Sequence, residues 1–313
     1  MTGIITIETP KEHRITEKTF LDFVEYIDAA PLTVQTYTRA LRRFFFYLRE
    51  QGIDKPSRQD ILMFRDHLKE TCKPATVQIY LTAIRLFFRW TAEENIYPNV
   101  AERIKGAKID KGHKKDYLTS RQVQKVLSNI DRDVSCGLRD YAIFLLMVVG
   151  GLRVIEIVRA NVGDIQTLGD AIVLYIQGKG REERTEYVRL VAPVEDAVRE
   201  YLSAMGNRVG DQPLFTSRAN RNNGSRLTTR SVSRIIKQRL QSCGYDSERI
   251  SAHSLRHTAG TLNLLHGGSL EETQQLLRHS NINTTMIYAH HLQRANNRSE
   301  ARIAQAIFGA EED

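Results

Sequence analysis

From residue 15 to about 107 the apolar positions recur every three or four residues, the spacing of amphipathic helices. Four helices are predicted there. Thr16 caps a first over 17–29, and Pro31 and Thr33 open a second that runs to Gln51. Ser57 caps a third over 58–70, and Pro74 and Thr76 open a fourth that ends near Asn95. The second and fourth are alike at an offset of 43 residues: Thr33-Val34-Gln35-x-Tyr37 returns as Thr76-Val77-Gln78-x-Tyr80. Ala40, Arg42, Phe44, Phe45 and Glu50 return as Ala83, Arg85, Phe87, Phe88 and Glu93. Two copies are too few for a solenoid, so a bundle of two paired hairpins is expected. Phe44, Phe45, Phe87, Phe88 and Trp90 are its expected core.

Residues 105–116 lose the periodicity and are rich in Lys and Gly. The organisation expected is a tail over 1–14, a helical domain over 15–107, a basic linker over 108–116 and a second domain over 117–313. The second domain mixes both patterns. Thr119 and Ser120 cap a helix, and an apolar helix over 137–149 stops at Gly150-Gly151. A short helix then carries Arg153 and Glu156. Ala171–Ile176 alternates as a strand, Gly178-Lys179-Gly180-Arg181 reads as a turn, and 184–191 is the return strand. Helices follow over 193–205, 228–242, 254–266, 269–278, 283–290 and 297–308. The last places Ile303, Ala304, Ile307 and Phe308 on one face. The fold class is mainly α: a four-helix bundle, then an α+β domain with a small antiparallel sheet.

Charge sharpens this picture. Lys and Arg number 45 against 37 Asp and Glu, a net charge of +8, which favours a polyanionic partner. Much of the excess is local, with Arg103, Lys105, Lys108, Lys111, Lys114 and Lys115 facing only Asp110 and Asp116. Arg39, Arg42, Arg43, Arg49, Arg85 and Arg89 line the bundle helices. Any one of them reads best as a solvated charge; together they suit a surface facing phosphates. Cys72, Cys136 and Cys243 are odd in number and lack metal spacing, as expected of a reduced cytoplasmic protein. No signal-peptide pattern opens the chain, and the longest apolar run, 141–152, is too short to cross a bilayer.

The candidate chemistry clusters near the C-terminus. His253-Ser254-Leu255-Arg256-His257 is followed by Leu276-Leu277-Arg278-His279 and by Thr284-Thr285-Met286-Ile287-Tyr288-Ala289-His290. Arg153 stands upstream in Gly150-Gly151-Leu152-Arg153-Val154-Ile155-Glu156. Arginine and histidine donors can hold the oxygens of a phosphate, and a tyrosine can attack one. Singly, each piece is ordinary: Gly-Lys-Gly is usually a turn, and a helical tyrosine is usually core. Their order and spacing together are specific.

That order resembles the tyrosine site-specific recombinases, the phage integrase family, over nearly the whole chain. The resemblance implies a SAM-like core-binding domain followed by the tyrosine-recombinase catalytic domain, in the compact Xer-like layout. It implies Arg153, Lys179, His253, Arg256 and His279 as activating residues, Tyr288 as nucleophile and Glu156 as a supporting residue. Arg39, Arg42, Arg43, Arg85, Arg89, Lys111, Lys114 and Lys115 would contact DNA. It implies strand exchange on paired inverted half-sites by a tetramer, through a phosphotyrosine and a Holliday junction, with no metal or other cofactor. A location on the nucleoid, accessory proteins and a mobile element or replicon as the target go with it.

Other classes fit less well. His253 and His257 lie four apart as zinc ligands would, but Ser254 stands where a zincin carries Glu, and no nearby carboxylate offers a third ligand. A non-catalytic DNA-binding regulator would not need every catalytic position filled. A type IB topoisomerase would share the chemistry, but the N-terminal domain resembles recombinases more closely and a helix after Tyr288 suits exchange between subunits.

Overall fold

The computed structural model describes residues 15–108, 116–178, 183–206, 209–295 and 299–309. The chain divides into two compact units, Met1–Gly112 and His113–Asp313.

The first unit is built from α1 (Glu17–Tyr26), α2 (Pro31–Glu50), α3 (Arg58–Thr71) and α4 (Pro74–Glu93). Its starts follow from capping chemistry. The Thr16 hydroxyl accepts from the Thr19 N–H while Thr19 Oγ1 accepts from the Thr16 N–H, each 3.2 Å. The Ser57 N–H donates to Asp60 Oδ2 at 2.7 Å. Pro31 and Pro74 begin the long helices, where the missing N–H costs nothing. The first helix ends at Tyr26, short of the expected Ala29, because Ile27 is already extended.

The repeat explains the core. Phe44 meets Phe88 at 6.1 Å and Phe45 meets Phe87 at 5.3 Å between ring centroids. Since Phe87 and Phe88 are the repeats of Phe44 and Phe45, this crossed pairing is what a local two-fold axis between α2 and α4 requires. Phe23 and Phe64 close the cluster from α1 and α3. Phe44, Phe87, Phe88 and Trp90 are buried as expected; Phe45 is only half-buried and borders the surface.

The second unit holds α5 (Ser120–Ser128), α6 (Ser135–Val148), α7 (Val154–Arg159) and strands β1 (Ile165–Leu168), β2 (Ala171–Ile176) and β3 (Glu186–Arg189). Then come α8 (Ala192–Ala204), α9 (Thr229–Gln241), α10 (Ala252–Leu265), α11 (Leu270–Leu277), α12 (Asn283–Ala295) and α13 (Ser299–Phe308). The sheet is antiparallel in the order β1-β2-β3, with Leu174 opposite both Ile165 and Val188. β1 was not expected: four residues with three exposed carry too little alternation to read. The return strand is shorter than 184–191, and α12 runs on to Ala295 rather than stopping at 290. α6 is buried from Gly137 to Val148 apart from the half-buried Tyr141, with Arg139 and Asp140 paired within it, and forms the centre of the core. α10 packs against it, so whatever α10 carries is held on a rigid base. The three cysteines are free thiols. No helix of the described residues is long and apolar enough to cross a membrane.

Candidate active site

The site begins where α6 ends. Gly151 takes φ +61°, and a Cβ there would sit 2.9 Å from Leu277 Cδ2. The tight Gly150-Gly151 turn sends Arg153 to the N-cap of α7. Its N–H donates to Glu156 Oε2 at 2.8 Å and its Nη1 to Glu156 Oε1 at 2.7 Å. Glu156 is fully buried and also accepts from Arg278 Nη2 at 3.0 Å. Burial alone would raise this carboxyl, but Arg278 and the Arg153 N–H and guanidinium outweigh it. Glu156 is therefore held below its usual range and stays ionised.

α10 supplies His253, Arg256 and His257, which share one face at helical spacing. Arg256 is 2% exposed, donating through Nη1 to Gly151 O at 2.5 Å and through Nη2 to Leu277 O. Burial, then the charges of Arg153 and Arg278, bring it down to about 9, so it remains a cation at neutral pH. A guanidinium has five N–H groups, so donors remain after two carbonyl bonds.

The turn from α11 into α12 supplies the rest. His279 Nδ1 lies 2.9 Å from Thr285 Oγ1. Burial and the surrounding Arg256, Arg153, Arg278 and His253 push its imidazole down to about 4, which keeps it neutral. Tyr288, on α12, is 4% exposed. Its ring lies parallel to that of His279 at 6.4 Å and 5.3 Å from that of His257. Burial pushes its phenol up to about 12 against the opposing pull of Arg256 and Arg153. Gly260 permits this packing, since a Cβ there would stand 2.8 Å from Leu277 Cδ1 and 3.5 Å from Tyr288 Cε1.

Arg153, His253, Arg256, His257, His279 and Tyr288 thus line one cleft of about 290 Å³. Five of the six expected catalytic positions meet there. The sixth, Lys179, lies outside the described residues, as do Lys111, Lys114 and Lys115. The base of the turn that leads to Lys179 is anchored: Arg159 Nη1 donates to Gly178 O at 3.0 Å, and Arg184 pairs with Asp164.

The bundle arginines divide. Arg39, Arg42 and Arg89 are exposed. Arg42 lies over the Phe20 ring, and Arg43 donates to Thr71 Oγ1 and Cys72 Sγ. Arg85 donates to Leu81 O, Thr82 Oγ1 and Ile104 O, so it ties down the end of its own unit. Three residues near the cleft were not singled out in the sequence: Thr285, Gly260 and Arg278. For Arg278 a signal existed, since an arginine follows α11 where a glycine commonly ends a helix.

Comparison with known proteins agrees with this geometry. The phage integrase family model matches residues 116–294, and the phage integrase N-terminal SAM-like domain matches residues 18–97. Tyrosine recombinase XerC of Pelobacter propionicus is 30% identical over 267 residues, 83% of this chain and 85% of that protein. Tyrosine recombinase XerC of Caldanaerobacter subterraneus is 34% identical over 198 residues, 62% of this chain but only 52% of that protein. Among solved structures, the XerH site-specific recombinase in its post-cleavage complex with a palindromic difH substrate shares the fold, with a TM-score of 0.69 at 23% identity over 86% of this chain and 80% of that one. The chain belongs to the phage integrase family, among the tyrosine recombinases.

Proposed function

We propose that this protein cuts and rejoins duplex DNA at a specific site through a 3′-phosphotyrosine on Tyr288, without metal or ATP. One observation carries the reading: a buried tyrosine shares a single cleft with two arginines and three histidines. Arg153 and Arg256 take the non-bridging oxygens of the scissile phosphate. Their positive charge stabilises the extra negative charge as the Tyr288 oxygen bonds to phosphorus and the P–O5′ bond breaks. The phenol must lose its proton first, and burial makes that hard. Neutral His279 has a ring nitrogen able to accept it, and His253 lines the same cleft as a further donor to phosphate. Lys179 gives a proton to the departing 5′ oxygen. The phosphotyrosine keeps the energy of the broken bond, so attack by a 5′ hydroxyl of the partner strand rejoins the DNA by the reverse steps. Two such exchanges pass through a Holliday junction.

In this reading four copies assemble on paired inverted half-sites, with the helical unit and the basic linker of each reaching the phosphate backbone. Arg39, Arg42 and Arg89, exposed on the bundle, are the contacts best placed for this. Arg43 and Arg85 serve it through their remaining N–H groups while packing their own unit. The target belongs to a mobile element or a replicon, and the protein works on the nucleoid.

The test is covalent trapping. A nicked duplex carrying the sequence that the protein selects from a random pool is incubated with protein in EDTA. Wild type is expected to form a protease-sensitive, SDS-stable adduct. Tyr288→Phe is expected to form none while binding the duplex as wild type does. An adduct of undiminished yield with Tyr288→Phe removes Tyr288 from the role of nucleophile.

A further inference from the structure

Arg278, whose side chain is 6% exposed, is a cation that the reaction just described leaves unused. It caps α11 in the left-handed region, at φ +51° and ψ 50°. For a residue with a Cβ this conformation is strained, whereas glycine would adopt it freely. The arginine side chain must offset that strain, and its contacts show how. Nη1 donates to Leu276 O at 2.7 Å and Gly150 O at 3.3 Å; Nη2 donates to Gly151 O and to Glu156 Oε2, each at 3.0 Å.

The pattern of these partners is specific. Glu156 is the carboxylate that holds both the N–H and the guanidinium of Arg153. Gly151 O is the carbonyl that also holds Arg256. The backbone carbonyl of Arg278 itself accepts from Arg153 Nη2 at 3.3 Å. One guanidinium therefore touches the anchors of both cleft arginines at once. Unlike Arg153 and Arg256 it does not line the cleft, and its side chain is 6% exposed against 28% for Arg153. With Glu156 fully buried between Arg278 and Arg153, the carboxylate is shared by two cations. Removing Arg278 leaves Arg153 as its remaining ion-pair partner, free to be drawn inward away from the cleft.

We propose that Arg278 is a positioning residue that fixes the spacing of Arg153 and Arg256, so that the two can grip two oxygens of one phosphate. The left-handed turn is the geometry that folds this arginine back against the Gly150-Gly151 turn and α7 instead of letting it extend into solvent. The proposal rests on the phosphoryl-transfer reading of the cleft. It assigns Arg278 no contact with substrate.

The test uses the full chain with the selected nicked duplex, in two versions. One carries an ordinary scissile phosphate, the other a neutral methylphosphonate at that position. Arg278→Gly suits the backbone conformation and removes only the side chain. It is expected to bind DNA as wild type does and to slow adduct formation on the phosphate by about 100-fold, the scale of a misplacement of around 1 Å. On the methylphosphonate, where one charged oxygen is absent, its defect relative to wild type is expected to shrink to below roughly tenfold. A general loss of folding would slow both substrates equally, and that outcome overturns the positioning role. Arg278→Lys keeps a charge against Glu156 but cannot fork to two carbonyls, and is expected to remain well below wild type on the phosphate. A wild-type rate for Arg278→Lys or Arg278→Gly overturns the proposal while leaving the recombinase reading intact. If wild type itself forms no adduct, that reading fails, and crystal structures of wild type and Arg278→Gly still decide the positioning role by whether Arg153 and Arg256 move.

Discussion

At the scale of single residues, the cleft works by setting protonation states against one another. Arg256 and Glu156 are charged and buried; His279 is kept neutral by burial and then by the cations around it; Tyr288 is kept neutral by burial. These residues were legible in the sequence because their types and order are unusual together. Arg278 and Thr285 were not, since one acts through a positive φ and the other through a contact six residues along, across a turn. A pH dependence follows. An unfolded histidine takes up its proton near pH 6.5, but His279 in the fold does so only near 4, so the unfolded chain holds more protons between them. Glu156 acts in the same sense further down, because its folded value is depressed and its stabilising ionisation is lost as the pH falls. The stability of the second unit is therefore expected to fall as pH drops from 6.5 toward 4, with His279 contributing on the order of 2 kcal/mol. Because the one tryptophan, Trp90, reports on the other unit, hydrogen exchange of the α10 amides is the suitable probe. His279→Gln should flatten that dependence above pH 5. An unchanged slope would mean that His279 is not held neutral by its surroundings. Lys179 makes a separate prediction. Lys179→Ala should slow cleavage of ordinary DNA far more than cleavage of DNA with a bridging 5′ sulfur, which departs without needing a proton. Equal defects on both substrates would move the general acid to another residue, with His279 next in line.

At the scale of elements, the long helices were readable because capping residues, N-terminal prolines and period-3.6 apolar faces all agree. β1 was not, since tertiary pairing with β2 rather than its own pattern makes it a strand. The extension of α12 past 290 went unread because the sequence there offers no apolar stripe to follow. What the sequence reading could least supply was the closeness of α6, α10 and α11, which depends on glycines rather than on side chains. Gly151 needs φ +61° and has Leu277 Cδ2 within 2.9 Å of its absent Cβ, while its carbonyl receives both Arg256 and Arg278. Gly151→Ala is therefore expected to cost about 1–2 kcal/mol in stability from backbone strain alone. It should also lower adduct formation more than DNA binding, because the carbonyl that both arginines share is displaced. A variant that is destabilised by that amount yet reacts at the wild-type rate would show that the turn serves packing and not the site.

At the scale of the whole molecule, the terminal helix is the part that a single chain leaves incomplete. α13 spans Ser299–Phe308, and a helix of 10 residues is marginal in water unless its apolar face is covered. Yet Ile303, Ile307 and Phe308 are 58%, 65% and 83% exposed. The expected face is present, as the sequence implied, and it is not folded into the core of its own chain. In the tetramer proposed above, a neighbouring subunit would cover it. Because α13 follows α12, which carries Tyr288, the docking of one subunit would bias the position of its nucleophile according to the state of the next. Such a cyclic arrangement would restrict cutting to two of the four subunits at a time and so avoid double-strand breaks. A chain ending at Ala295 should therefore stay folded and bind a half-site nearly as well as the full chain. Its strand exchange should fall by roughly tenfold or more, as the loss of several buried interface anchors at ~1–2 kcal/mol each implies. Mixing it with full-length Tyr288→Phe should also redistribute which strand is cut, since donor and acceptor of the helix are then distinguishable. If the shortened chain is insoluble or unfolded, α13 completes its own subunit; if it exchanges strands at the full rate, no handover between subunits takes place.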